Sequence, residues 1–322
     1  MQEKSSNTKL PENIAKNLVF IDGICRCGKS AFSSIIPSFE SFEHLQISNI
    51  LENMVPAVML GGVEKDSAKM MIRLELNELS YNLQLSRNVN FRKSDQTGIA
   101  NYREPKIYFD RLEALEGNNV VNSIRTNANS IPFQTHNMMV NLDIVNSLDL
   151  DYKILEIYRN PIDNIYSCWA RGWGERFSHD PRSFTLRTSY NESLYPWFCF
   201  GIEEKIINLN QYERCVIMFT NLLNRCIEKQ KEASNPEKII TIFFEDMFKS
   251  PDYEISKIGA FLGKSITNYT AKFIEDARFP RELDLIKRKE KLSILKKNVA
   301  PEIFDLLISM AEYYESEGYG LR

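Results

Sequence analysis

The 322 residues, 43% of them hydrophobic and 26% charged, have the balance of an ordinary soluble globular protein, long enough to bury a full core in one large domain or two small ones. A net charge of −3 argues against a general nucleic-acid binder but leaves room for a locally basic pocket that takes a phosphorylated ligand. No stretch approaches the ~20 consecutive apolar residues of a membrane span, and the opening MQEKSSNTKLPENIAKN lacks the apolar core of a signal peptide, so the expected location is cytoplasmic. The six cysteines (Cys25, Cys27, Cys168, Cys199, Cys215, Cys226) form neither a CxxC pair nor a Cys/His cluster with zinc spacing. They read as reduced thiols, several of them in the core.

Residues 1–16 are polar and read as a flexible lead-in to a single domain over 17–322. The apolar run 17–21, ended by Asp22 and Gly23, predicts a buried strand. A loop follows over 23–30, then a helix from Lys29 to Ile36 that Pro37 stops. Residues 38–128 look helix-rich, with the best helical spacing over 64–85, whereas 118–130 is polar and turn-rich. A second strand is predicted over 152–158, with a helix opened by Asn160 and Pro161. Long amphipathic helices are expected over 195–232, a third strand over 238–244, and helices from 253 and from about 300 onward. No linker, low-complexity tract or internal repeat interrupts this order. Strands separated by helical crossovers imply a parallel sheet covered on both faces, with ligands beyond the carboxyl ends of its strands.

Three motifs sit at those ends. Gly23, Gly28, Lys29 and Ser30 fit GxxxxGK[ST] between a strand and a helix, the context in which glycines let backbone N–H groups wrap a phosphate. Lys29 and Arg26 add positive charge. The loop specifies phosphate but not its chemistry: a kinase or nucleotide hydrolase would place Lys29 on the β/γ-phosphates and Ser30 on magnesium. At the second strand end, Asn160 suits an N-cap, Pro161 the first helical position, and Asp163 a reach back toward the cap. Local structure gives no reason for Arg159, a charge ending an apolar strand beside the glycine loop, unless it meets an anion. Ser167 lies two helical turns on, about 12 Å along the axis.

Arg159, Asn160, Pro161, Asp163 and Ser167 together resemble the RNPxDxxxS motif of sulfotransferases that use 3′-phosphoadenosine 5′-phosphosulfate (PAPS). The resemblance implies that Arg159 and Ser167 bind the 3′-phosphate. It likewise implies that Arg26, Cys27, Gly28, Lys29 and Ser30 form the 5′-phosphosulfate loop, commonly [K/R]SGT[S/T], with Cys27 replacing serine and Lys29 replacing threonine. Ala31 stands where the cytosolic enzymes carry an aromatic residue, and Phe32 follows. The implied fold is α/β, a three-layer P-loop-type domain with a central parallel sheet flanked by helices. The implied donor is PAPS, with no metal, and the acceptor a hydroxyl or amine of a small molecule or glycan. Arg26 and Lys29 would then bind the transferring sulfonate.

Residues 242–247 and 258–263 resemble the family's strand-then-YEDL…FLG segment, though most of the segment reads better as plain strand, cap and amphipathic helix. The transfer needs a base for the acceptor hydroxyl and positive groups for the leaving oxygen. Of the three histidines (His44, His136, His179), His136 follows Gln134 and Thr135 and resembles the Lys-Thr-His segment that carries the base in cytosolic sulfotransferases. A capping or surface role for His136 fits as well. Other families of the fold use a glutamate, for which Glu64, Glu75 and Glu78 lie in the helix-rich segment. The run Lys287, Arg288, Lys289 resembles a cofactor-closing segment, but a solvated charge run is the expectation. Two rival readings stand beside this one: an ATP-dependent kinase working through Lys29, Ser30 and Asp246, and a non-catalytic nucleotide-binding member. The aromatic residues Tyr102, Tyr108, Phe109, Trp173, Tyr195 and Trp197 suit sugar stacking or a plain core.

Overall fold

A computed structural model describes residues 9–177 and 184–321. In chain order its elements are β1 (Leu18–Asp22), α1 (Lys29–Ile35), α2 (Asn49–Met59), α3 (Lys65–Gln84), α4 (Lys106–Asp110), α5 (Asn118–Asn127), β2 (Ile131–Gln134), α6 (Leu142–Ser147), β3 (Tyr152–Tyr158) and α7 (Pro161–Trp169). There follow β4 (Arg187–Tyr190), β5 (Ser193–Pro196), α8 (Glu203–Ile206), α9 (Gln211–Lys231), β6 (Ile239–Phe243), α10 (Asp246–Lys249), α11 (Pro251–Leu262), α12 (Thr270–Asp276), α13 (Leu285–Asn298) and α14 (Pro301–Glu317).

The main sheet is parallel throughout, ordered β2-β1-β3-β6 and flanked by helices, as a P-loop-type α/β domain requires. The register sets Asp22 beside Glu156 and Tyr158 beside Phe243, so β1, β3 and β6 end together and their following loops converge. β1 is buried at every position. Phe20 stacks on Tyr152 of β3 at 5.5 Å and meets Phe133 of β2 edge-on at 6.2 Å, which ties the three strands through one side chain.

Three segments depart from the sequence expectations for local reasons. β2 contains Pro132, which reads against a strand, but β2 lies at the edge of the four-stranded sheet, where a missing donor is tolerated. Residues 118–127 form a helix, although asparagine-rich, because Val120 anchors it by burial. Residues 187–196 form an antiparallel hairpin that sequence reasoning did not assign, and its last two residues open the span expected to be helical. Its turn residues Asn191 and Glu192 both take positive φ (45° and 62°), the conformation of a tight hairpin turn, without the glycine that usually announces it. Of the lead-in, residues 1–8 lie outside the described residues. Ile14 and Ala15 donate their N–H groups to the Asn77 side chain of α3 at 2.9 and 3.2 Å, which holds the chain as it enters β1. Among the described residues no helix is long and apolar enough to cross a membrane.

Candidate active site

The loop between β1 and α1 is built by two glycines. Gly23 has φ of 135°, and a Cβ there would sit 2.6 Å from the Ile157 carbonyl oxygen and 2.8 Å from the Cys27 sulfur. Gly28 has φ of 102°, and a Cβ there would strike the Phe244 ring at 2.5 Å. Any larger residue at either position would push the loop off the strand ends. Between them Arg26 also takes positive φ (65°), which turns its side chain toward α7.

Beneath the loop lies a buried charge cluster. Asp22 accepts from the Thr135 hydroxyl and the Met139 N–H, both at 3.0 Å, and is fully buried, as is its neighbour Glu156. Burial, reinforced by the charge of Asp22, pushes the Glu156 carboxyl well above the usual carboxylate range. Lys29 is buried with them and donates to the Gly23 carbonyl at 2.6 Å, so its ammonium closes the loop from below.

The strand-end arginine and the helix serine both reach this loop. Arg159 donates from Nη1 to the Arg26 carbonyl at 3.1 Å and lies over the Phe244 ring, 5.3 Å from its centroid. Its Nε is buried with no hydrogen-bond partner, a donor left open beside the loop. Arg26 donates from Nε to the Ser167 hydroxyl at 2.9 Å. Two more groups of α7 hold the loop through the Cys25 carbonyl: Asn164 donates to it at 2.8 Å and the Cys168 thiol at 3.3 Å. Arg26 is therefore brought together with Arg159 and Ser167, from which it is more than 130 residues removed in sequence.

Asn160 caps α7 as expected, accepting from the Ile162 N–H at 3.0 Å. Asp163 does not reach back to the cap, because the Asn160 N–H is already taken by Glu245 at 3.1 Å. Asp163 turns instead to Arg288 (2.7 Å) and Lys291 (2.6 Å) on α13. The expectation of a solvated run over 287–289 is likewise corrected for Arg288. Helical spacing leaves Lys287 and Lys289 exposed and turns Arg288 inward to Asp163, Glu245 and Glu315. Burial alone would raise the Asp163 carboxyl, but the Lys291 hydrogen bond and the Arg288 charge hold it below the usual range. Arg288→Met should therefore cost about 3–5 kcal/mol of unfolding free energy in urea titration, the range for breaking a buried ion pair from one side. A depressed carboxylate stabilises the fold above its unfolded pKa, near 3.9, and the gain is lost as pH falls through the folded value. The two stability curves are thus expected to converge in acid below about pH 4.

His136 lies in the turn after β2, its side chain 40% exposed, with Nδ1 3.1 and 3.2 Å from the two carboxylate oxygens of Glu52 on α2. Sequence reasoning did not single out Glu52. Of the glutamates it named, Glu75 accepts from the Ser48 hydroxyl at 3.1 Å, while Glu64 at the N-cap of α3 and Glu78 on the helix are exposed. His44 is buried beneath a cavity of about 740 Å³ that starts at Ser30 and Ala31 and runs between α1 and α12, lined also by Lys93, Arg103 and Lys272. His179 lies outside the described residues. Asp246 opens α10 at the rim of a separate cavity, of about 780 Å³, with Arg281 and Arg288.

An aromatic cluster flanks the loop on the side of Arg159. Phe244 meets Phe248 at 5.2 Å and Phe279 at 5.9 Å, and Arg281 lies over all three rings at 4.5–6.0 Å. Phe32 is fully buried and supports Phe244 edge-on at 6.5 Å, so it faces the core. The flat-ring signal was present in the sequence in the second phenylalanine of the pair 243–244, but nothing there linked it to Phe279. Of the aromatic residues considered for sugar stacking, Tyr102, Tyr108, Tyr195 and Trp197 are core, and Phe109 is exposed.

A glycine loop at the ends of a parallel sheet, closed by arginines from two strand ends, defines a P-loop-type domain. The sulfotransferase domain family matches residues 18–284, and the chain belongs to that family. The chain is similar in structure to the sulfotransferase domain of the Synechococcus PCC 7002 olefin synthase, with 11% identity over 95% of this chain and 98% of that one and a TM-score of 0.46. It is also similar to the sulfotransferase STF1 of Mycobacterium tuberculosis H37Rv, with 10% identity over 86% and 76% and a TM-score of 0.40. A third similar structure is mouse sulfotransferase SULT7A1 complexed with PAP, with 13% identity over 95% and 87% and a TM-score of 0.39. No curated protein sequence matches the chain.

Proposed function

We propose that the protein transfers the sulfuryl group of PAPS to a hydroxyl or amine of a small-molecule or glycan acceptor. The observation that carries this reading is the meeting of Arg26, Arg159 and Ser167 beside the glycine loop, with the Arg159 Nε buried and unpaired. Two arginines and a hydroxyl give donors for two anionic groups, one in the loop and one between the loop and α7. When bound, PAPS supplies the activated sulfuryl group and a phosphate leaving group.

Each residue then has a task. The backbone of residues 26–30, including Cys27 and Gly28, cradles the 5′-phosphosulfate with the Ser30 hydroxyl. Arg26 binds the transferring sulfonate, and Lys29 adds its charge from the base of the loop while holding Gly23 in place. Arg159 and Ser167 clamp the 3′-phosphate. Phe244 and Phe279, with Arg281 behind them, offer rings against which adenine would stack. His136 takes the acceptor proton through Nε2. Glu52 acts through it as a positioning residue: by accepting the Nδ1 proton it leaves the lone pair on Nε2.

The test is transfer of ³⁵S from labelled PAPS to panels of phenols, sugars and amines, run beside transfer of ³²P from γ-labelled ATP with magnesium. A labelled sulfate ester or sulfamate is expected. Label moving from ATP alone would replace this reading with the kinase.

A further inference from the structure

We propose that Cys25 and Cys168 form a peroxide-oxidisable pair whose disulfide shuts the phosphate loop. Cys25 is half-buried in the loop between Gly23 and Gly28, and Cys168 follows Ser167 on α7. The Cys168 sulfur lies 3.3 Å from the Cys25 carbonyl oxygen, to which its thiol donates. The two cysteines therefore meet at the junction that holds the loop to α7. The other four cysteines are buried. Cys27, two residues along the same loop, points into the core, and burial pushes its thiol up to about 11.

The groups facing Cys25 favour its thiolate. The Cys168 hydrogen bond is the largest influence and outweighs burial. The charges of Lys29 and Arg26 add to it, as does His136 when protonated, and the thiol is brought down to about 6, while Cys215 of α9 lies farther back as a neutral thiol. Cys168 stays protonated, because burial holds its thiol well above the ordinary value.

The chemistry balances with hydrogen peroxide as the oxidant. The Cys25 thiolate attacks one peroxide oxygen and the O–O bond breaks. The departing hydroxide takes a proton to leave as water, and Cys25 becomes a sulfenic acid. The Cys168 sulfur then attacks the Cys25 sulfur, the S–O bond breaks, and the hydroxide leaves with the Cys168 proton as a second water. Two electrons pass from the two sulfurs to one peroxide. The bridge draws the loop toward α7 at a point flanked by Arg26 and Ser167, two of the groups assigned to the cofactor's anions. Ligand affinity is expected to fall by about tenfold or more. This last consequence rests on the PAPS reading given above.

The experiment treats the reduced full-length protein with a few equivalents of peroxide, then reads intact mass, a peptide map and PAP binding by calorimetry. The expected result is a loss of about 2 Da, a linked Cys25–Cys168 peptide, and weakened PAP binding restored by dithiothreitol. In Cys168→Ser, dimedone should trap a sulfenic acid on Cys25. In Cys25→Ser, PAP affinity should be the same with and without peroxide. Labelling of Cys25 by iodoacetamide in reduced protein should rise with pH through a midpoint at about 6. An unoxidised Cys25, a different disulfide, or a Cys25–Cys168 bridge that leaves PAP affinity unchanged would each overturn the proposal. If reduced protein fails to bind PAP at all, the cofactor reading fails, and the peptide map still decides whether the bridge forms.

Discussion

Arg159→Ala is expected to abolish measurable PAP binding in calorimetric titration, with no dependence on magnesium in the wild type. Arg159 is positioned by the Arg26 carbonyl and the Phe244 ring, and its Nε has no partner in the protein. Losing one side of a buried, hydrogen-bonded charge pair costs about 2–5 kcal/mol, or roughly 30- to several thousand-fold in affinity. Titration with ATP in the same buffers makes the comparison informative. A kinase would bind ATP with magnesium through Lys29 and Ser30 and would tolerate the loss of Arg159, since its 3′-position carries no phosphate. Magnesium-dependent ATP binding that survives the mutation would sink the sulfotransfer reading.

His136→Ala should lower kcat by about 10²–10⁴-fold, the usual contribution of a positioned base, with little change in the KM for PAPS. Glu52→Gln should act in the same direction but less, by up to about 10²-fold, the low end of a positioned base's contribution. The amide can offer an N–H to Nδ1 and so favour the tautomer whose Nε2 carries the proton, which removes the base without moving the ring. The expected pattern is a fall in kcat at constant KM for both substrates, with partial recovery in Glu52→Asp. If Glu52→Gln raises KM and leaves kcat alone, the contact with His136 is a surface ion pair of an exposed histidine and the base lies elsewhere.

The parts of the site that could be read from the sequence are those written in short stretches of chain. Gly23, Gly28, Lys29 and Ser30 fall within eight residues, and the need for φ of 135° and 102° at the two glycines is a local constraint that no other residue meets well. Arg159, Asn160 and Pro161 mark the passage from an apolar strand to a capped helix, so the end of β3 and the start of α7 are visible as spacing and residue type. The same is true of the parallel sheet, since apolar runs separated by helical segments permit little else.

What the sequence determined, then, is the class of fold, the glycine loop and the arginine beside it. Only the tertiary structure paired His136 with Glu52, Cys25 with Cys168 and Arg288 with Asp163, contacts that join residues 84, 143 and 125 positions apart. Only it turned Lys29 inward toward Gly23 and gathered Phe244, Phe248 and Phe279 under Arg281. The physical reason is that backbone conformation and periodicity are set by neighbours along the chain, whereas a side chain's partner is set by which strand ends the sheet order brings together. β1 lies between β2 and β3 and β6 lies on the far side of β3, so four loops from distant stretches of sequence meet at one edge.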